Sequence, residues 1–160
     1  MTNLKIGNIV PDFSAKDQDG NVISNKTLIN KKYILFFYGQ DDTPTCTKQV
    51  CAANDVVTDV KNHGYLLFGV SPDRETKHKK FIDKYNLTLN LLSDPEKKMM
   101  YAFEAYGPKV FMGKDVIGVY RKSYFIDEHG KIIHIIAEVT AAEQGRQIME
   151  YLNMNERNSF

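Results

Sequence analysis

The chain has 160 residues, a formal net charge of +1, and 42% hydrophobic against 26% charged side chains. That length suits one domain, which buries about two thirds of its unfolded surface without needing a disulfide or metal staple. So small a net charge gives no global field for nucleic acid or anionic lipid, and the longest apolar run, 33–38, falls far short of the roughly 20 residues of a membrane span. The first ten residues lack the apolar segment and small-residue site of a secretory leader, so a cytoplasmic location is expected.

Asp19-Gly20, set between Phe13-Ser14-Ala15 and Val22-Ile23, reads as the turn of an N-terminal β-hairpin. The continuous apolar run 33–38 reads as a central strand covered on both faces. Thr43 then offers an N-cap and Pro44 a first helical residue. Val50, Ala53, Val57 and Val60 recur at spacings of three and four, which predicts one helix closing at His63, with Gly64 in the left-handed position that ends it.

Residues 65–70 form a second buried strand, and 75–85 a helix with Phe81, Ile82 and Tyr85 inward. A short strand, 89–92, precedes Asp94-Pro95, which opens a helix through about Tyr106. The stretch 107–118 reads as a long loop. Strands at 120–127 and 131–137 flank the turn Asp127-Glu128-His129-Gly130, and a last helix, 140–152, carries Ile148, Met149 and Leu152 inward. One domain over 1–153 is expected, with 154–160 a polar tail. The order βαβ followed by αββα predicts an α/β fold of thioredoxin-like type, a mixed central sheet with helices on both faces.

Two cysteines carry the chemical signal. Pro44 at the first helical position puts Cys46 in the third, among free backbone N–H groups and at the positive end of the helix dipole. Both favour a thiolate, the reactive form; the plainer alternative is a small buried residue at a helix start. Cys51 follows five residues later. In an intact helix the two Cα atoms stand about 8–9 Å apart, whereas a disulfide tolerates about 7 Å at most. The pair therefore bonds only if the first turns unwind, or Cys51 is an inert core residue. Zinc is disfavoured, because this spacing is not C-x₂₋₄-C and no His pair follows nearby.

Other chemistry-bearing residues have ordinary readings. His63, His78, His129 and His134 are scattered and suit surface or packing roles. The basic run 77–80 reads as a solvated helix face. Met99, Met100, Phe103 and Tyr106 have core spacing, and Asp41 and Asp42 read as exposed loop residues.

The segment Gly39-Gln40-Asp41-Asp42-Thr43-Pro44-Thr45-Cys46 resembles the peroxiredoxin motif Pro-x-x-x-Thr/Ser-x-x-Cys, with Thr43 and Cys46 in place. Cys46-Thr47-Lys48-Gln49-Val50-Cys51 is similar to the bacterioferritin-comigratory, or PrxQ, group. So are Leu91-Leu92-Ser93-Asp94, Phe111-Met112-Gly113-Lys114 and the stretch beginning Arg121-Lys122-Ser123. The resemblance runs from about Gly7 to Leu152. It implies a thiol peroxidase acting on hydrogen peroxide and organic hydroperoxides without metal or organic cofactor. Cys46 would be the nucleophile and Cys51 the resolving thiol. Thr43 and Arg121 would bind peroxide and stabilise the thiolate, and thioredoxin would reduce a protein acting as a monomer. The departure is Gly39 where the family has Pro: either a neighbour such as Tyr38 or Phe111 fills the space, or the substrate pocket is more open. Two other classes stay in play. A thiol–disulfide oxidoreductase shares the fold but ordinarily uses Cys-x-x-Cys, and a redox-sensing module would form the disulfide without turnover.

Overall fold

The computed structural model describes residues 3–157. Nine strands and five helices follow in the order β1 (Ser14–Lys16), β2 (Val22–Ser24), β3 (Lys32–Phe37), α1 (Pro44–Asn54), α2 (Val57–Asn62), β4 (Tyr65–Ser71), α3 (Glu75–Tyr85), β5 (Asn90–Ser93), α4 (Lys98–Ala102), β6 (Tyr106–Phe111), β7 (Lys114–Val119), β8 (Ser123–Ile126), β9 (Ile132–Ile136) and α5 (Gln144–Arg157). Seven strands form one sheet in the order β2-β1-β5-β4-β3-β8-β9. β3, β4 and β5 are parallel, and the flanking pairs are antiparallel. This is the mixed α/β sheet the sequence predicts.

β3 shows why the sheet is covered twice. Successive side chains of a strand point to opposite faces. Tyr33, Leu35 and Phe37 enter one core with Phe13, Phe68, Met100, Phe103 and Tyr124. Ile34, Phe36 and Tyr38 enter the other with Val50, Ala53, Phe81, Leu91, Ile148 and Leu152. α1, α3 and α5 cover this second core and α4 the first. Each buried Phe or Leu contributes about 2 kcal/mol of apolar burial. Gly69, in β4, is fixed by the same crowding: a Cβ there would lie 2.8 Å from Leu91 and Phe36 side-chain carbons.

Four expectations are corrected. The single helix 44–62 is two, because the chain turns at Asp55 and Val56, where Val56 leaves helical geometry (φ −108°, ψ 7°). The helix expected over 94–106 is only Lys98–Ala102, since Lys97 is left-handed (φ 61°) and delays its start. Asp94 nonetheless caps it, accepting from the N–H groups of Met99 (3.2 Å) and Met100 (2.8 Å). The expected loop 107–118 is the hairpin β6–β7, six residue pairs turned at Met112-Gly113, both with positive φ. The last helix begins with a 3-10 turn, Ala141–Glu143, and runs on to Arg157, past the boundary expected at 153. The final three residues of the expected tail lie outside the described residues. Among the described residues no helix is long and apolar enough to cross a membrane.

Candidate active site

β3 delivers the chain through Tyr38 and a short loop to the start of α1. Thr43 is the N-cap (φ −89°, ψ 153°) and Pro44 the first helical residue, so Cys46 stands third, as the sequence predicts. The Thr43 hydroxyl does not cap the helix; it donates to Gln40 O at 2.9 Å. The Cys46 sulfur is also within its reach, and a charged sulfur is the stronger acceptor.

The loop is tied to α3 by the two aspartates expected to be exposed. Asp41 is instead buried, at 2% exposure. Its carboxylate accepts from the Tyr38 hydroxyl at 2.5 Å and pairs with His78 Nδ1 at 2.6 Å. Its N–H donates to Asp73 at 2.7 Å. His78 is fully buried, and its Nε2 meets Leu92 O at 3.0 Å, so the ring is held at both ends. Asp42, left-handed at φ 61°, turns outward to accept from Lys84 and Tyr85, each at 2.8 Å. Lys84 and Tyr85 lie in α3 with His78. Both carboxylates are thus spent on α3 rather than opposing a thiolate.

Asp41, Asp73 and His78 place potential metal-ligand atoms within 4.8 Å of one another. Two of them, His78 Nδ1 and an Asp41 carboxylate oxygen, already pair, and the Asp73 carboxylate is taken up by the Asp41 N–H and by the Ser71 hydroxyl at 2.8 Å.

Arg121 comes from the segment between β7 and β8, and its Nη1 lies 3.4 Å from Cys46 Sγ. The same nitrogen donates to Gln49 Oε1 at 2.6 Å. Burial pushes the Cys46 thiol up, but hydrogen bonds from Thr43, Arg121 and the Gln40 backbone, with the guanidinium charge, outweigh it and leave the thiol below its ordinary value. Cys51 goes the other way: burial, then the Asp55 carboxylate, raise it. The cysteines are both free, Cys46 buried and Cys51 half-buried in the same helix.

Cys46 opens onto a cleft of about 610 Å³. Gly39, Thr43 and Arg121, all singled out in the sequence, line it with Phe111 and Val119 of the hairpin. Cys51 lies away from it, packed against the second core. A Cβ on Gly39 would stand 3.7 Å from Cys46 Sγ, in ordinary contact. Tyr38 does not fill that space, because its ring is fully buried and directed at Asp41 and His78. Phe111 does line the cleft but stays 60% exposed.

Sequence reasoning missed Lys109. Its ammonium donates to Val119 O at 2.9 Å. Burial and then the neighbouring Arg121 cation lower its pKa, while the Cys46 charge raises it. It is a second cation near the sulfur, invisible in a stretch read as loop, where side-chain direction is undefined.

The arrangement is a thiol at a helix start, its charged form favoured by a guanidinium and a hydroxyl, facing an open cleft. The chain is similar to known proteins. The AhpC/TSA family model matches residues 6–135. The chain is 34% identical over 152 residues to the peroxiredoxin Bcp of Escherichia coli K12, covering 95% of this chain and 97% of that protein. It is equally identical to a putative Bcp peroxiredoxin of Helicobacter pylori J99, covering 95% and 100%. The solved bacterioferritin comigratory protein of Xanthomonas campestris, described for its alkyl peroxide reduction activity, superposes with a TM-score of 0.84 at 22% identity, over 95% of this chain and 97% of that one.

Proposed function

Since the chain belongs to the AhpC/TSA family and is a thiol peroxidase like its Bcp peroxiredoxin relatives, we propose that Cys46 is the peroxidatic residue of a two-cysteine cycle reduced by thioredoxin. The observation that carries this is the Arg121 guanidinium 3.4 Å from a sulfur at a helix start, facing a cleft.

The cycle balances as follows. The Cys46 thiolate attacks the distal oxygen of ROOH; the O–O bond breaks, sulfur becomes sulfenic acid, and the alkoxide leaves as alcohol or water after taking a proton. Thr43 and Arg121 hold the peroxide oxygens and stabilise the developing charge. Cys51 sulfur then attacks the sulfenic sulfur and expels water. This step requires the first turns of α1 to unwind, since five helical residues hold the sulfurs too far apart. A dithiol such as thioredoxin finally reduces the disulfide. Cys46, the thiol with the lowered pKa, is the better leaving group, so the reductant attacks Cys51.

Resolution within one chain supports a monomer, and a chain of this length with only two, closely spaced cysteines suits a reducing, cytoplasmic setting. We read the chain as one peroxiredoxin domain. The test is consumption of hydrogen peroxide or cumene hydroperoxide coupled to thioredoxin, thioredoxin reductase and NADPH. Wild type turns over, Cys46→Ser does not, and Cys51→Ser makes one sulfenate per chain and stops. A Cys46→Ser variant that kept the wild-type rate would remove the mechanism.

A further inference from the structure

Arg121 is oriented by Gln49, and Gln49 is itself held from behind. Both Gln49 and Gln144 are fully buried. Gln49 Nε2 donates to Phe37 O at 3.2 Å and to Gln144 Oε1 at 3.0 Å. Those two bonds fix which way the Gln49 amide faces, so that its oxygen rather than its nitrogen meets the guanidinium at 2.6 Å. The reversed amide would set donor against donor. Gln144 Oε1 is steadied by the Ser123 hydroxyl at 3.2 Å, while Gln144 Nε2 has no hydrogen-bond partner among the described residues. What the site uses of Gln144 is therefore its oxygen.

Gln144 begins α5, on another element from the cysteines. The next residue, Gly145, meets α1 backbone so closely that a Cβ would lie 2.3 Å from Ala52 O. The start of α5 thus rests directly on the part of α1 that carries Cys51.

Gln49 lies between Cys46 and Cys51. Unwinding that lets the two sulfurs meet must pull Gln49 away from Gln144 and Phe37. We infer that Gln144 is a positioning residue with two opposed effects. Through Gln49 it holds Arg121 on the sulfur, which speeds peroxide attack. Through the same hydrogen bond it ties α1 to α5, which slows formation of the disulfide. This inference rests on Cys46 as attacking thiol and Cys51 as resolving thiol.

The experiment is rapid-quench alkylation with mass spectrometry on the full chain, following thiol, sulfenate and disulfide after a pulse of hydrogen peroxide. It is paired with the pH dependence of Cys46 alkylation. Gln144→Met keeps the length and removes the accepting oxygen. Its sulfenate should form about fivefold more slowly at neutral pH, the size of one lost buried hydrogen bond. Its alkylation profile should shift to higher pH, and its disulfide should form faster than in wild type. Gln144→Glu, which keeps an accepting oxygen, should restore all three towards wild type. In a Gln49→Met background the Gln144→Met effect should vanish. Ser123→Ala, which removes only the hydroxyl steadying the oxygen, is the milder second variant with the same signs expected. Attack and resolution slowed alike, both unchanged, or effects additive with Gln49→Met would overturn the inference while leaving the cycle intact. A wild type that consumes peroxide with no Cys46–Cys51 disulfide would instead overturn the cycle.

Discussion

The walls of the Cys46 cleft, lined by Arg121 on one side and by Gly39 and Phe111 on the other, are backed by regions built in opposite ways. One is buried and polar: Asp41 with Tyr38 and His78, and Arg121 with Gln49, in which every group but the half-buried Arg121 is closed to solvent. The other is open and apolar: Gly39, which offers no side chain, and the hairpin β6–β7, whose Val110, Phe111, Met112 and Ile117 are 60–86% exposed. The buried wall holds the active-site loop and the guanidinium that favours the charged form of Cys46. The open wall leaves room for the part of a hydroperoxide that does not react. Chemistry is held rigidly and substrate loosely, a division that electrostatic preorganisation favours.

The largest effect should come from breaking the buried wall at its far end. His78→Ala leaves the Asp41 carboxylate buried without its imidazole, and stability should fall by about 3–5 kcal/mol. Phe111→Ala on the open wall should change it by no more than about 0.5 kcal/mol. Chemical denaturation of the two variants side by side checks this, and equal losses would dissolve the contrast. Next comes Arg121→Met, which removes one preorganised donor from the reacting sulfur. Peroxide attack should slow about a hundredfold.

The pH dependence sharpens the same point. The folded Cys46 thiol lies below its ordinary value, so peroxide attack by the reduced protein should persist to pH values below the ordinary thiol range. Arg121→Met should move that profile upward. By linkage, the stability contributed by this thiolate is fully present above the unfolded thiol pKa and is lost as pH falls through the folded one. Denaturation of reduced wild type and Cys46→Ser across that window should show wild type gaining with rising pH.

The smallest effect should come from closing the open wall. Gly39→Ala adds a methyl group in ordinary contact with Cys46 Sγ. The ratio of kcat/KM for hydrogen peroxide to that for cumene hydroperoxide should rise by about fivefold. An unchanged ratio would show that Gly39 does not set the size of substrate admitted.

What the sequence revealed divides along the same line. Thr43-Pro44 announces a helix start by local rules, and so places Cys46 before any fold is known. The unbroken apolar run of β3 announces a doubly covered strand. Arg121 is an ordinary strand-edge residue until the fold brings it across, and only the family resemblance singled it out. Asp41 reads as an exposed loop residue and His78 as a surface or packing one, because charge defaults to exposure and nothing local shows that residues 37 apart will bury each other. The hairpin β6–β7 was missed because Pro108 and its three glycines punctuate it as loop, and pairing rather than packing holds its exposed strands together.

The interruption between α1 and α2 has a mechanical meaning. α1 ends at Asn54, whose side chain accepts from Thr88 N (2.8 Å), Thr88 Oγ1 (3.1 Å) and Leu89 N (3.2 Å) ahead of β5. Those bonds make Asn54 a bolt, and the turn after it a firebreak. Unravelling that begins at Cys46 runs out of helix at the bolt and is not conducted into α2 or the sheet. On the proposed two-cysteine cycle, the melting is then confined to the two or three turns of α1 while the rest of the molecule stands still.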